Sequence, residues 1–267
     1  MTHPFLAGPP FLASPVLQGV QHGFFTRAGG VSQGPFESLN CSVSSGDDPA
    51  LLRENRARVA GAMGVTPDCL LGITQVHGTS CVVAEQAWAA GAGPRADAMA
   101  TRVPGLALGV ITADCSPILL ADARRGIVAA VHAGWRGAVA GILESTVETM
   151  QTLGASRSDL RAVIGPCIGQ ASYEVGDDLR WAVLGVGIVQ AEPFFSPGRR
   201  PGHYQFDLPG YCTARLLGCG VGAVEWLGCD TLSDPQRFFS HRRRTLAGGG
   251  AIGHQISVIV CPEADLS

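Results

Sequence analysis

Three residues with metal-ligating chemistry stand at the ends of apolar runs: His77 in QVHG, Cys115 in TADCSP and His132 in VHAGWRG. Two imidazole nitrogens and one thiolate suit zinc. Three protein ligands leave a fourth position open for water, as a catalytic zinc requires. Taken singly, each residue has a plainer reading: a structural histidine for His77 and His132, an inert buried thiol for Cys115. Taken together, all three fall where strands give way to loops, so a rigid sheet can aim them into one cleft. Their separations fit no local finger spacing, and only the tertiary fold can join them. Cys115 and His132 also have the composition of a thiol nucleophile and its base. A structural zinc would need a fourth ligand, for which Cys41, His22 and His241 are the candidates. Two His and a Cys are also a blue-copper set. However, seven His with no His-x-His pair are too few for a multicopper oxidase, so copper ranks below zinc.

The elements that must position these residues are legible from hydrophobic patterning. Residues 106–112, 118–121 and 127–131 are apolar, β-branched runs divided by short polar turns, and they read as strands buried on both faces. Residues 20–26, 73–76, 80–84, 161–164, 224–227 and 255–261 read as further strands. Asp47-Asp48-Pro49 opens a helix. Others are expected over 135–153, 177–184 and 208–217, and residues 196–202 (SPGRRPG) read as an exposed loop. Strands and helices mix without a strict βαβ rhythm, which predicts α+β over doubly wound α/β. With no internal repeat and no linker rich enough to divide the chain, residues 1–267 read as one domain.

Composition narrows the function classes. Hydrophobic residues make up 46% and charged residues 15% of the 267, enough to bury a substantial core. A formal charge of −3 offers no general attraction for nucleic acid or an anionic membrane. All 19 basic residues are Arg, so no Schiff-base lysine can operate. The opening MTHPFLAGPPFLASPV has no basic n-region and is interrupted by Pro, and the sequence reads as lacking a secretory signal. No apolar run approaches the roughly 18–20 residues a spanning helix needs. Nine Cys, an odd number with no Cys-x-x-Cys pair, read as reduced thiols in the cytoplasm.

The segments FFTRAGGVSQGPFESLN, GDDPALLRENR, QVHG, ADAMAT, TADCSPILLAD, VHAGWRG, IGPCIGQASYEVG, FDLP and FFSHRR follow one another across nearly the whole chain. In this order they resemble the bacterial laccase-domain family, first labelled multicopper polyphenol oxidases and later assigned as zinc-dependent purine nucleoside phosphorylases. The resemblance implies that His77, Cys115 and His132 ligate zinc. It implies phosphorolysis of adenosine, inosine and methylthioadenosine, with some hydrolytic deamination of adenosine. The implied fold is a mixed β-sandwich flanked by helices, related in arrangement to bacterial toxin cysteine hydrolases. Some relatives are linked to editing of peptidoglycan precursors, which keeps a Cys115–His132 hydrolase or amidase as the alternative. Three positions depart from the family pattern. Ser116 stands where Leu is usual, His241 where Tyr is frequent, and Ile252-Gly253-His254 where Thr-Gly-Arg is typical. If that Arg binds an anion, His254 would do so only when protonated.

Phosphorolysis needs phosphate held beside the ribose, a task for planar guanidinium groups. Arg27, Arg56, Arg136 and Arg242 are the candidates. Arg136 is the best placed, just past His132 at an expected helix start, whereas the run from Arg242 to Arg244 also reads as a solvated charge cluster. Asn40 could contact a ribose hydroxyl or a base edge, or cap a turn. Asp97 and Asp114 could orient ligands or act as a base. Asp114 adjoins Cys115 and so faces away from it along a strand, which favours a supporting role. The segment from Gly248 to Gly253 matches Gly-x-Gly-x-x-Gly, yet no expected strand leads into it and the chain ends before an acidic partner could follow. It reads as a loop. Trp135, Phe238 and Phe239 read as core aromatics.

Overall fold

Apolar runs without polar alternation demand cover on both faces, and the structure supplies it. The computed structural model describes residues 8–187 and 190–262. Residues 1–7 of the segment read above for a secretory signal lie outside the described residues, as does the C-terminal end of the expected domain. In chain order the strands are β1 (Phe11–Leu12), β2 (His22–Phe25), β3 (Leu70–Leu71), β4 (Cys81–Val83), β5 (Ala98–Thr101), β6 (Ala107–Thr112) and β7 (Ser116–Asp122). They continue with β8 (Ile127–Ala133), β9 (Arg161–Ile164), β10 (Glu174–Gly176), β11 (Phe195–Pro197), β12 (His203–Phe206), β13 (Ala223–Trp226) and β14 (Gln255–Val260). The α-helices are α1 (Pro49–Ala62), α2 (Trp135–Ala140), α3 (Ile142–Thr152), α4 (Asp177–Leu184), α5 (Leu208–Gly218) and α6 (His241–Leu246).

A five-stranded sheet runs β1-β2-β14-β6-β3 and a six-stranded sheet β13-β9-β7-β8-β5-β4. Both are mixed: β3 is parallel to β6, β4 to β5 and β13 to β9, while the remaining pairs in these sheets are antiparallel. This is α+β, as expected. The period of two along each strand sorts side chains between layers. Leu119, Ala121, Val128 and Ala130 point into a core shared with Phe24, Leu108, Val110 and Ile259 of the other sheet. Their neighbours Ile118, Leu120, Ala129 and Val131 face Ile142, Val147 and Met150 of α3 and Leu216 of α5. On the far side Phe25, Ile256 and Val258 pack against Val59, Ala60 and Met63. The order of layers is α1, sheet, sheet, α3 with α5.

Several expectations shift. The single helix over 135–153 is two, because Gly141 adopts φ 111° between α2 and α3, a conformation that stops the first helix. Residues 73–76 form only an isolated bridge from Thr74 to Arg95. The loop over 196–202 is partly strand, as β11 and β12 form a hairpin that joins β10 in a small third sheet. Asp48 caps α1 by accepting from the Ala50 N–H at 2.7 Å, with Pro49 at the first helical position, as the acidic start predicts.

Candidate metal centre

Strand register brings the three donors together. Ser116 pairs with Ala133 across β7 and β8, so Cys115, one residue before β7, lies beside Gly134, one residue after β8. His132 is the penultimate residue of β8, and His77 comes from the loop before β4. Ligand atoms of His77, Cys115 and His132 all lie within 4.8 Å of one another, and the two imidazole rings meet edge to face with centroids 4.7 Å apart. A Cβ on Gly134 would come within 2.8 Å of His77 Nδ1 and 3.1 Å of Cys115 Sγ. Glycine at 134 therefore clears the space into which the donors point. Two imidazoles and a thiolate around a cleared space could hold a metal ion.

Asp97 orients two of the three. Its carboxylate accepts from His132 Nδ1 at 2.8 Å, which makes Nε2 the nitrogen that can bind a metal once its proton is lost. The same carboxylate accepts from the main-chain N–H groups of Val76 at 3.2 Å, His77 at 2.9 Å and Gly78 at 2.6 Å. His77 sits at φ 58°, a left-handed conformation costly for a residue with a Cβ, and these contacts hold it there. Burial alone would raise the Asp97 pKa, but the donors from His132, Gly78 and His77 outweigh it and keep the carboxyl below its usual range. Burial would likewise lower the His132 pKa, yet the Cys115 sulfur and the Asp97 carboxylate overcome it and push the value up to about 9.

The donors open into a cleft of about 470 Å³ lined also by Trp135, Arg136, Tyr173, His241, Arg242 and His254. Of the expected substrate contacts, Arg136 and Arg242 reach it. The Arg136 guanidinium lies 4.6 Å above the Trp135 ring. Arg242 donates from Nη1 to the Glu174 carbonyl at 3.0 Å and lies 5.4 Å from the Tyr173 ring centroid. Arg27, Arg56 and Asn40 lie outside the lining. Arg27 donates to the carbonyls of Glu37 and Pro235 and lies 4.5 Å over the Phe239 ring. Arg56 is buried, donates to the Leu70 carbonyl at 2.9 Å and borders a separate small cavity with Cys41 and Gly72. Asn40 is fully buried, and its Oδ1 accepts from the backbone of Ser42 at 3.2 Å and of His254 at 3.0 Å.

Asp114 is not on a strand as expected: it lies in the turn between β6 and β7 at φ 91° and lines the cleft, accepting from Thr231 Oγ1 at 2.6 Å and from the Arg242 N–H at the start of α6. His22 is satisfied by Val20 and Ser14, and neither it nor Cys41 lines the cleft. His241 lines it but does not join the donor cluster. His254 is held neutral, since burial first and the nearby His132, His241 and Arg244 charges next lower its pKa to about 4. At neutral pH it does not offer the positive charge that an anion would require. Phe238 and Phe239 are core, as expected, whereas Trp135 is half-buried at the cleft wall. Gly248, Gly249 and Gly250 follow α6 at φ 96°, 95° and 103°, a loop and not a dinucleotide turn.

Residue reading misses Gly134, Gln75 and Thr112. Gln75 exchanges two hydrogen bonds with the Ile111 backbone, at 2.8 and 2.9 Å, and ties the His77 loop to β6. Its place in QVHG carries some signal. Nothing local distinguishes Gly134 or Thr112.

The chain matches the family described as multi-copper polyphenol oxidoreductase laccase over residues 21–262. It is 41% identical over 266 residues to a Deinococcus radiodurans protein named purine nucleoside phosphorylase, covering 97% of this chain and 95% of that one. A Pseudomonas aeruginosa protein named purine nucleoside phosphorylase is 40% identical, over 84% of this chain and 88% of its own. Among solved structures, a Neisseria meningitidis protein of the DUF152 family superposes with a TM-score of 0.84 at 34% identity, covering 96% of this chain and all of its own. A Bacillus licheniformis protein superposes at 0.87 and 30% identity, over 96% and 97%. With its fold, its donor cluster and these likenesses together, the chain belongs to the multi-copper polyphenol oxidoreductase laccase family.

Proposed function

We propose that this protein is a zinc-dependent purine nucleoside phosphorylase, acting in the cytoplasm as one domain. It converts adenosine, inosine or methylthioadenosine with phosphate to the free base and ribose 1-phosphate, and deaminates adenosine as a side activity. The observation that carries the reading is the His77, Cys115 and His132 cluster in the lining of a cleft, in a chain similar to proteins named purine nucleoside phosphorylase. In the reaction a phosphate oxygen bonds to the anomeric carbon as the bond to the base nitrogen breaks, and the departing base gains a proton. A zinc ion held by His77, Cys115 and His132 would supply Lewis acidity beside the reacting centre. Asp97 keeps the His132 ring and the His77 loop in place. Arg136 and Arg242 present guanidinium groups for phosphate, and the faces of Trp135 and Tyr173 suit a purine. Arg27, Arg56 and Asn40 support the walls in this reading. The nine unpaired cysteines agree with a reducing compartment.

Purified, zinc-loaded protein given inosine should release hypoxanthine and ribose 1-phosphate only when phosphate is present. Turnover that ignores phosphate would remove the assignment.

One observation favours a second reading. The donor atoms of Cys115 and His132 lie within 4.8 Å of each other, and Asp97 orients the imidazole, the nucleophile, base and orienting group of a thiol hydrolase. A toxin-hydrolase-like arrangement and amide substrates from the cell wall would go with it. Activity that survives complete removal of metal, with a covalent adduct on Cys115, would select this reading over the first.

A further inference from the structure

The polar groups of the cleft wall are largely committed to the protein. Gln75 is taken by Ile111, Asp114 by Thr231 and Arg242, and His132 Nδ1 by Asp97. His254 is different. Its backbone is clamped, the N–H donating to Asn40 Oδ1 at 3.0 Å and the carbonyl accepting from the Cys41 N–H at 3.1 Å. Its side chain lines the cleft, and the ring makes no hydrogen bond to the described residues. Nδ1 is buried and unpartnered, as is Oγ1 of Thr112, and Thr112 pairs in register with Gln255, the residue after His254. Both residues line the cleft, at the ends of neighbouring strands. Buried polar atoms are nearly always partnered in folded proteins, so an unpartnered ring on a cleft wall calls for an explanation.

The choice of tautomer narrows what that is. A neutral imidazole has one N–H and one lone pair. Closing the lone pair away at Nδ1 costs less than closing away an N–H, which puts the proton on Nε2. With the lone pair buried, the ring offers the cleft a single neutral donor. A neutral donor has little advantage for phosphate, whose charge Arg136 and Arg242 already match. It suits an uncharged acceptor, such as a purine ring nitrogen or carbonyl, or a ribose oxygen.

We propose that His254 is a specificity-determining residue of the cleft, donating from Nε2 to an uncharged acceptor on the nucleoside and taking no part in holding phosphate. The inference rests on the nucleoside reading above. Initial rates of the zinc-loaded protein are measured with inosine and phosphate varied separately, and inosine binding without phosphate is followed by calorimetry. His254→Ala should raise the KM and Kd for inosine about tenfold, the loss of one good hydrogen bond, while the KM for phosphate stays within about twofold. His254→Gln, whose amide can place a neutral N–H near the same point, should recover most of the loss. A merely structural histidine would not be rescued in this selective way. A rise in the phosphate KM with inosine unaffected, or two variants that match wild type in both, would overturn the role of His254 alone. Wild-type protein that neither binds nor cleaves inosine would remove the phosphorylase reading and this inference with it. Melting curves of both variants separate a lost contact from a lost fold.

Discussion

The carboxylate of Asp97 and the imidazole of His132 share a 2.8 Å hydrogen bond, and the main chains of the same residues are joined by an N–H···O bond of 2.7 Å. Both contacts follow from register, because β5 and β8 pair Ala98 with Val131 and so set the preceding Asp97 beside His132. The residue that orients one donor is thereby rigid, and through the 76–78 backbone it orients a second.

Asp97→Asn should therefore weaken zinc binding about 10- to 100-fold, the usual cost of losing a partner that orients a metal-bound histidine. An amide can present only one oxygen where the carboxylate presents two, so the His77 loop loosens as well. Competition with a chromogenic chelator would measure the change, and unaltered zinc affinity would count against the proposed role.

Gly134→Ala should abolish zinc binding in a folded protein, since its Cβ would crowd His77 Nδ1 and Cys115 Sγ at 2.8 and 3.1 Å. Gly61→Ala makes the control. A Cβ there meets nothing within 4 Å, the site lies in α1, and the change should stabilise by about 0.5 kcal/mol. Metal content by mass spectrometry and thermal melting distinguish the two outcomes.

Chelation should eliminate inosine phosphorolysis, and zinc should restore it more fully than copper. The two imidazoles and thiolate suit either ion, but phosphorolysis transfers no electrons and gains nothing from a redox metal. Full activity in metal-free protein would transfer support to the Cys115 thiol.

His254 ties stability to pH. Its pKa is about 4 in the folded protein against 6.5 for a free side chain, so folding favours the neutral ring. The resulting stability is fully present above about pH 6.5 and is lost as pH falls through about 4. His132 runs the other way: its raised value of about 9 contributes stability below about 6.5 that is lost as pH rises through 9. The melting temperature of metal-free protein should therefore fall between pH 6.5 and 4, and His254→Gln should flatten that decline. An identical slope in the variant would assign it to other groups.

The sequence by itself determined the layered plan and the identity of the donors. β6, β7 and β8 could be found because a strand covered on both faces must be apolar along its length, and α1 because Asp48 and Pro49 mark its start. His77, Cys115 and His132 were legible as types at strand ends and through their resemblance to a known family. What remained hidden depends on contacts between distant segments. Gly141 divides the expected long helix by adopting a left-handed turn that its neighbours do not announce. Arg27, Arg56 and Asn40 have the chemistry of substrate contacts, but whether a guanidinium meets phosphate or a carbonyl depends on which loop packs against it. Tertiary structure alone decided that Asp97 would face His132, that Gly134 would clear the space between His77 and Cys115, and that His254 would sit half-buried at the cleft wall with its Nδ1 enclosed. The reason in each case is that strand register sets distances to a fraction of an ångström, while spacing along the chain leaves them free.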